Sequence, residues 1–204
     1  KVDGILNSDK NIAALEAYRK LYTFTPPNWN QAFFVENNQA FTEGLVAMAM
    51  NYFAFFPALA NEATNPHAKD TGYFANPPGP NGDQHAALGG QGISIISYSK
   101  NQDEAKKFLQ WFIRDDVQQK WADLGGYTCS AAVLNSEKFL KATPYNQAFA
   151  DSMKIVKDFW ANPVFADMLF QMNDRLHPYI TTGEGSAKAA LDALAGDWNK
   201  TLGN

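Results

Sequence analysis

The chain has 204 residues, of which 46% are hydrophobic and 14% aromatic, enough to bury a core in one large domain or two small ones. Its formal net charge of -4 argues against nucleic acid or anionic membrane as a main partner, because a polyanion gains nothing electrostatically from an acidic protein. The single cysteine, Cys129, excludes an internal disulfide and a cysteine-based zinc site.

The first third of the chain predicts two helices and a buried strand. Ser8 stands at an N-cap position before apolar residues at helical spacing, and a second, short helix ends at Gly44. The uniformly apolar run over residues 46–51 then predicts a short buried strand. A strand there places three amide or aromatic side chains at its far end, namely Asn51, Tyr52 and Phe53.

The middle third shows strand-like stretches around Tyr73 and over residues 93–97, separated by a loop rich in proline and glycine. The best-defined helix follows, with Asn101 as N-cap and Glu104 at the reciprocal capping-box position. A further helix ends at the pair Gly125–Gly126, a natural left-handed C-cap.

The last third is predicted to be helical. Its three segments are residues 144–160, residues 163–176 with an interruption near Pro178, and residues 186–202. Leu191, Leu194 and Trp198 align on one face of the last segment. No apolar run in the whole chain approaches the roughly 18 to 20 residues of a membrane-spanning helix.

The motifs of common enzymes and cofactor sites are absent from the sequence. The glycines at 89, 90 and 92 precede a predicted strand, whereas a phosphate-binding loop must follow a strand and open a helix. The histidines are scattered, and Cys129 has no implied partner, so a half-buried structural cysteine is favoured over a nucleophile. The sequence therefore predicts no catalytic residue, no metal site and no cofactor.

Two other functional hypotheses stay open at this point. Asp115 with Asp116, and Asp167 with Asp174, could serve as paired carboxylates of a carbohydrate-active enzyme or accessory module, although capping and solvated roles are the default for them. An intracellular protein-interaction domain would instead use an apolar groove for a partner helix.

Aromatic residues outside the predicted helices favour a binding protein for sugars. A sugar presents flat apolar C–H faces edged by hydroxyls, so its site combines aromatic platforms with planar amide side chains. Asn51 with Tyr52, and Phe170 with Gln171, have that pairing, and Tyr127 follows a helix end. The competing interpretation is that most of these aromatic residues belong to the core.

Five segments, in order, resemble the C-terminal half of the family 1 extracellular solute-binding proteins, the sugar-binding subunits of ABC importers related to maltose-binding protein. They are "SDKNIAALEAYRKLY", "FTEGLVAMAMNYFAFFPAL", "ALGGQGISIISYSKNQDEAKKFLQWF", "QQKWADLGGYTCSAAVLN" and "TTGEGSAKAALDALAGDWNKTL". The resemblance runs along essentially the whole chain.

The resemblance implies an α/β fold of the periplasmic-binding-protein-like type II class, in which two lobes close over the ligand. Residues 1–90 would form the first part of the C-terminal lobe, residues 91–134 a hinge strand and a segment of the N-terminal lobe, and residues 135–204 the helical remainder of the C-terminal lobe. The main body of the N-terminal lobe would be absent from this chain, which is expected to be a fragment. The glycine cluster would then serve the hinge.

The resemblance also implies ligand contacts, carried over residue by residue. It assigns contacts to Tyr52, Phe53, Gly89, Gly90, Gln91, Phe170 and Gln171, and the aromatic pattern adds Asn51 and Tyr127. Cys129 and Ser130 stand where relatives often have Pro and Arg, so that contact is not carried over.

The implied function is capture of a neutral sugar or polyol, without catalysis, and its delivery to the membrane permease subunits of an ABC importer. The implied location is the periplasm or the outer face of a bacterial membrane. As a fragment, the chain would expose the apolar faces of Phe108, Phe112 and Trp121. It is therefore expected to self-associate or to pair with the missing N-terminal lobe.

Overall fold

The computed structural model describes residues 1–90 and 92–203. The helices within them are α1 (Asp9–Tyr22), α2 (Phe34–Thr42), α3 (Phe56–Leu59), α4 (Gln102–Phe112), α5 (Asp115–Asp123), α6 (Ala131–Leu134), α7 (Glu137–Ala142), α8 (Asn146–Ser152), α9 (Phe165–Thr182) and α10 (Ala187–Thr201). Single 3-10 turns cover Trp29–Gln31, Phe53–Phe55 and Ala68–Asp70. Strands β1 (Ala86–Ala87) and β2 (Val156–Lys157) pair in parallel, with Ala86 opposite Val156.

The backbone divides into two compact units. Unit 1 comprises residues 1–49 together with the C-terminal stretch from Trp160, and unit 2 comprises residues 50–159. Among the described residues, no helix combines the length and apolarity that crossing a bilayer requires.

Helices α1, α9 and α10 form the core of unit 1. The predicted stripe on α10 is confirmed, since Leu191, Leu194 and Trp198 are all buried. Leu191 packs with Leu15 of α1, while Leu194 and Trp198 pack with Met168 of α9. The Trp198 indole also donates to the Met168 carbonyl over 3.0 Å, so burial does not leave its N–H unpaired.

The predicted interruption of α9 near Pro178 is wrong. The helix continues through this proline to Thr182 and ends at Gly183, whose φ of 82° is left-handed. A proline inside a helix removes one hydrogen bond, but Tyr179 and Ile180 on the following turn pack against the α1 and α10 core. Tertiary packing on both sides of Pro178 therefore keeps the helix continuous.

Unit 2 is built around two adjoining groups of side chains, one buried and the other mostly half-buried. Helices α5, α6 and α7 contribute Ala122, Val133 and Phe139 to one of them. The other is a set of aromatic rings, Phe53, Phe56, Tyr73, Tyr127, Tyr145 and Phe149. Phe149 joins the two groups, because its ring centroid lies 6.2 Å from that of Phe139 and 4.7 Å from that of Tyr127.

The helices predicted near Ser8 and Asn101 are confirmed, but their capping hydrogen bonds are not. Neither side chain accepts a bond from the first turn of its helix. Asn101 has φ -114° and ψ 34° in place of the extended backbone that a capping side chain needs, and Glu104 instead pairs with Lys107 at 2.6 Å. Gly125 ends the following helix region with a φ of 88°, as predicted.

The three predicted strands of the first two thirds are wrong for this chain. Residues 46–51, the stretch around Tyr73 and residues 93–97 lie in no strand. A strand is stabilised by a neighbour that pairs with its backbone, and β1 with β2 is the one such pair within the described residues. Met48 and Ile93 accordingly lie 76% and 56% exposed.

The helix predicted over residues 144–160 is shorter than expected. It ends at Ser152, and residues 156–157 form β2 instead. The backbone of this segment pairs with β1, since the Ala86 N–H donates to the Ile155 carbonyl and the Leu88 N–H donates to the Lys157 carbonyl. The β-branched pair Ile155–Val156 favours the extended conformation.

Candidate functional site

The predicted contact residues fall in both units. Unit 2 carries Asn51, Tyr52, Phe53, Gly89, Gly90 and Tyr127, and unit 1 carries Phe170 and Gln171. Gln91 lies outside the described residues.

In unit 2, the aromatic ring of Tyr52 lies against the backbone of Gly89. A Cβ atom on residue 89 would fall 2.2 Å from Cε1 and 2.6 Å from Cδ1 of Tyr52, whereas a Cβ on Gly90 would meet nothing within 4 Å. Neither glycine has a left-handed backbone. The requirement for glycine at 89 is therefore the close approach of the Tyr52 ring and not a special backbone conformation.

The side-chain amide of Asn51 bonds to the backbone of Tyr52. Its Oδ1 accepts from the Tyr52 N–H over 2.9 Å, and Tyr52 in turn stands at the N-cap of the turn that begins at Phe53. The structure thus places Asn51 and Tyr52 side by side at the start of this turn, the amide and aromatic pairing that the sequence predicts for a sugar site.

Phe53 and Tyr127 lie together in the aromatic core. The Tyr127 hydroxyl donates to the Phe53 carbonyl, and both rings pack on Phe149, at centroid distances of 4.7 Å for Tyr127 and 5.3 Å for Phe53. Burial, with a further contribution from Tyr145, raises the pKa of Tyr127, so the hydroxyl keeps the proton that it donates. These two residues therefore belong to the aromatic core directly after Tyr52 in the chain and in the loop that follows α5.

The loop that carries Tyr127 is held by residues that the sequence did not indicate as part of a site. The indole of Trp121 donates to the Tyr127 carbonyl over 3.0 Å and covers Gly126, where a Cβ would fall 2.2 Å from its Nε1. Trp121 is itself 45% exposed, in agreement with the exposed apolar face that the sequence predicts for a fragment. Cys129 is exposed rather than half-buried, and its N–H donates to the Gln118 side chain.

In unit 1, Phe170 and Gln171 have different environments on α9. Phe170 is 70% exposed and presents its ring to solvent. The Gln171 amide is engaged with α10, because its Nε2 donates to Thr201 Oγ1 over 2.8 Å and its Oε1 accepts from the same hydroxyl over 3.2 Å. Trp160 is a further exposed aromatic residue of unit 1, which the sequence analysis placed inside a predicted helix.

The four candidate acidic residues are all exposed. Asp115 accepts from the Ser130 hydroxyl over 2.7 Å, and Asp116 accepts from Nε and Nη2 of Arg114, which lowers its pKa. Asp167 and Asp174 are exposed on α9. Within the described residues, no group of three or more acidic, histidine or cysteine side chains could hold a metal ion.

Comparison with known proteins identifies the family. Residues 1–119 match the family model of the bacterial extracellular solute-binding protein. A "Probable ABC transporter-binding protein" of Deinococcus radiodurans is 27% identical over 141 residues, which cover 69% of this chain and 34% of that protein. The maltose-bound structure of T. maritima MalE3 superposes with a TM-score of 0.77 at 20% identity, covering 96% of this chain and 51% of that one.

The structural likeness confirms the predicted fold class. The chain spans between a third and a half of the length of these relatives. The families found are binding proteins rather than enzymes, and the matching family is an extracellular one. Since the family match covers more than half of the residues and confirms the resemblance drawn from the sequence, the chain belongs to the bacterial extracellular solute-binding protein family.

Proposed function

We propose that the full-length protein captures a neutral sugar or polyol in an interlobe cleft and delivers it to the membrane permease subunits of an ABC importer. The observation that carries the proposal is the Tyr52 ring, which we take as the aromatic platform of the site, held against Gly89 beside the Asn51 amide. An aromatic face next to an amide matches the apolar face and the hydroxyl edge of a sugar. The maltose bound to the MalE3 relative supports the same ligand class.

The charges of the predicted contacts favour a neutral ligand. None of the nine contact residues carries a formal charge, and their polar groups are amides, phenols and backbone. A charged ligand would lose its hydration in such a site without an opposite charge in return. A monosaccharide, a disaccharide or a polyol fits this chemistry.

Exposed apolar side chains support the proposed division of the chain between the two lobes of the full-length protein. Residues 91–134 would belong to the N-terminal lobe of the full-length protein, and residues 1–90 and 135–204 to its C-terminal lobe. Phe108 and Trp111 of α4 and Trp121 of α5 are exposed. Their rings form a row with Phe112, in which neighbouring ring centroids lie 5.6 to 6.1 Å apart. A row of this kind is expected to be covered, by the N-terminal lobe in the full-length protein or by a second copy in the fragment.

We also propose a cellular location for the protein. An extracellular binding protein that serves an importer would work in the periplasm or attached to the outer face of the membrane. Fractionation of the source bacterium, with an antibody against this chain, would locate it. Recovery in the cytoplasmic fraction alone would overturn the assignment.

A calorimetric and tryptophan-fluorescence titration of the full-length protein tests the ligand class. The probes are maltose, glucose and sorbitol, and recovered maltose is analysed afterwards by chromatography. We expect saturable binding of at least one probe and unchanged maltose. The absence of binding to all three by the folded protein would contradict the proposal, and cleaved maltose would favour the enzyme hypothesis instead.

A further inference from the structure

We propose that Gln118 is a positioning residue for the ligand site, acting through the loop 127–130 to fix Tyr127, Phe53 and the Tyr52 platform. This inference rests on the proposed function, because it assigns Gln118 a role in the affinity of that same site. Gln118 does not itself belong to the predicted contacts.

Gln118 is the most completely bonded side chain of α5. It is 1% exposed, and its Oε1 accepts from both the Thr128 hydroxyl and the Cys129 N–H, each over 3.0 Å. Its Nε2 donates to the Phe112 carbonyl at the end of α4 over 2.8 Å. A single buried amide therefore ties the loop to two helices.

Two neighbours on the same face of α5 hold the two ends of this loop. Asp115 and Trp121 lie three residues before and after Gln118, which places all three on one helix face. Asp115 accepts from the Ser130 hydroxyl over 2.7 Å, and the Trp121 indole donates to the Tyr127 carbonyl over 3.0 Å. With Gln118 between them, α5 sets the position of every residue of the loop.

The contacts continue from this loop to the platform. The Tyr127 hydroxyl donates to the Phe53 carbonyl, which follows Tyr52 directly in the chain. The Tyr52 ring then rests on Gly89, where there is no space for a side chain. A displacement of the loop would therefore be transmitted to the orientation of the ring that is proposed to stack on the sugar.

Asn65 provides a matched control within the same unit. It is 0% exposed, and like Gln118 it makes three hydrogen bonds: to the Leu59 carbonyl, to the Thr71 hydroxyl and from the His67 N–H. None of these bonds involves α5 or the loop 127–130. Replacement of either amide by leucine removes three hydrogen bonds of a buried side chain, so both variants lose stability, whereas only Gln118→Leu loosens the loop that carries Tyr127.

The experiment compares maltose affinity of the full-length wild type, Gln118→Leu, Gln118→Glu and Asn65→Leu below their melting temperatures. We expect the dissociation constant to rise at least tenfold in Gln118→Leu and to stay within twofold in Asn65→Leu. Gln118→Glu keeps an oxygen for Thr128 and Cys129, and its protonated carboxyl can also donate to the Phe112 carbonyl, so at acidic pH it should bind maltose more tightly than Gln118→Leu. Unchanged affinity in Gln118→Leu, or an equal loss in Asn65→Leu, would overturn the inference.

A readout without sugar separates this inference from the proposed function. Fluorotyrosine is incorporated, and the signals of Tyr52 and Tyr127 are assigned from Tyr→Phe variants. Both signals should shift in Gln118→Leu and stay in place in Asn65→Leu. If the wild type binds no maltose, the proposed function has failed for this probe, and unshifted signals would overturn the positioning role on their own.

Discussion

The ring of Tyr52 occupies the space that a side chain at Gly89 would need, with a Cβ at that position only 2.2 Å from Tyr52 Cε1. Real Cβ atoms do not approach carbon this closely, so any substitution at 89 must move the ring. The glycine and the tyrosine are therefore one structural unit, and each can be altered to test the other.

Gly89→Ala is expected to weaken sugar binding by about tenfold, because the methyl group displaces the ring that would stack on the ligand. The cost in the free energy of unfolding should stay near 1 kcal/mol, since the ring can rotate away. Calorimetry with maltose and urea denaturation measure the two quantities. Gly72→Ala, where a Cβ meets nothing within 4 Å, serves as the control, and equal affinities of the two variants would contradict the platform.

Removal of the ring itself gives the complementary prediction. Tyr52→Ala should lose at least about 1 kcal/mol of binding free energy, roughly a fivefold weaker affinity, while Tyr52→Phe keeps the stacking face and most of the affinity. Tyr98→Ala removes a ring that is 87% exposed and makes a matched control. If Tyr52→Phe lost as much affinity as Tyr52→Ala, the hydroxyl rather than the ring face would be the group that matters.

The helices that the sequence predicts well are those whose signals are local. The periodic stripe of Leu191, Leu194 and Trp198 and the glycine at 125 both lie within or next to the element that they define. The stop expected at Pro178 fails for the opposite reason, because side chains of other helices, α10 and the distant α1, hold the following turn in place. Local patterns thus predict elements, and distant packing decides where they end.

The strands and the site show the same limit. The apolar run at 46–51 is typical of a strand, but strand formation depends on a pairing neighbour that no local pattern contains. The family resemblance indicated Tyr52 and Gly89 as ligand contacts, but nothing in the sequence indicated that these two residues touch each other. Gln118 was missed because a glutamine on a charged helix is usually solvated, and only the folded loop shows its three partners.

Ionisation of Tyr127 gives a prediction for alkaline pH. Burial raises its pKa in the folded protein, so above about pH 10 the unfolded chain loses this proton while the folded protein retains it. The unfolded state then binds fewer protons, and the free energy of unfolding falls as the pH rises. Tyr127→Phe removes the titrating group, so its stability should fall less steeply above pH 10.

Urea denaturation at a series of pH values from 8 to about 11 measures this slope. Burial also raises the pKa of Tyr73, so part of the fall should persist in the variant. Tyr98→Phe, at a largely exposed position, controls for the loss of one phenol. A slope unchanged by Tyr127→Phe would show that its hydroxyl is not protected in solution.

The end of α9 offers a test of packing in unit 1 through two glycines with similar backbones. Gly183 and Gly185 both have left-handed φ angles, 82° and 73°, so alanine at either position costs about 1 kcal/mol in backbone strain. At Gly183 a Cβ would also fall 2.2 Å from the Arg19 guanidinium, which donates to the Tyr179 carbonyl and lies over the Tyr179 ring. Gly183→Ala should therefore lower the free energy of unfolding by about 1 kcal/mol more than Gly185→Ala.

The comparison is made by urea denaturation of both variants and of each combined with Arg19→Ala. The extra loss should disappear in the double variant, because the steric conflict is then absent, and its persistence would show that Arg19 does not lie against Gly183.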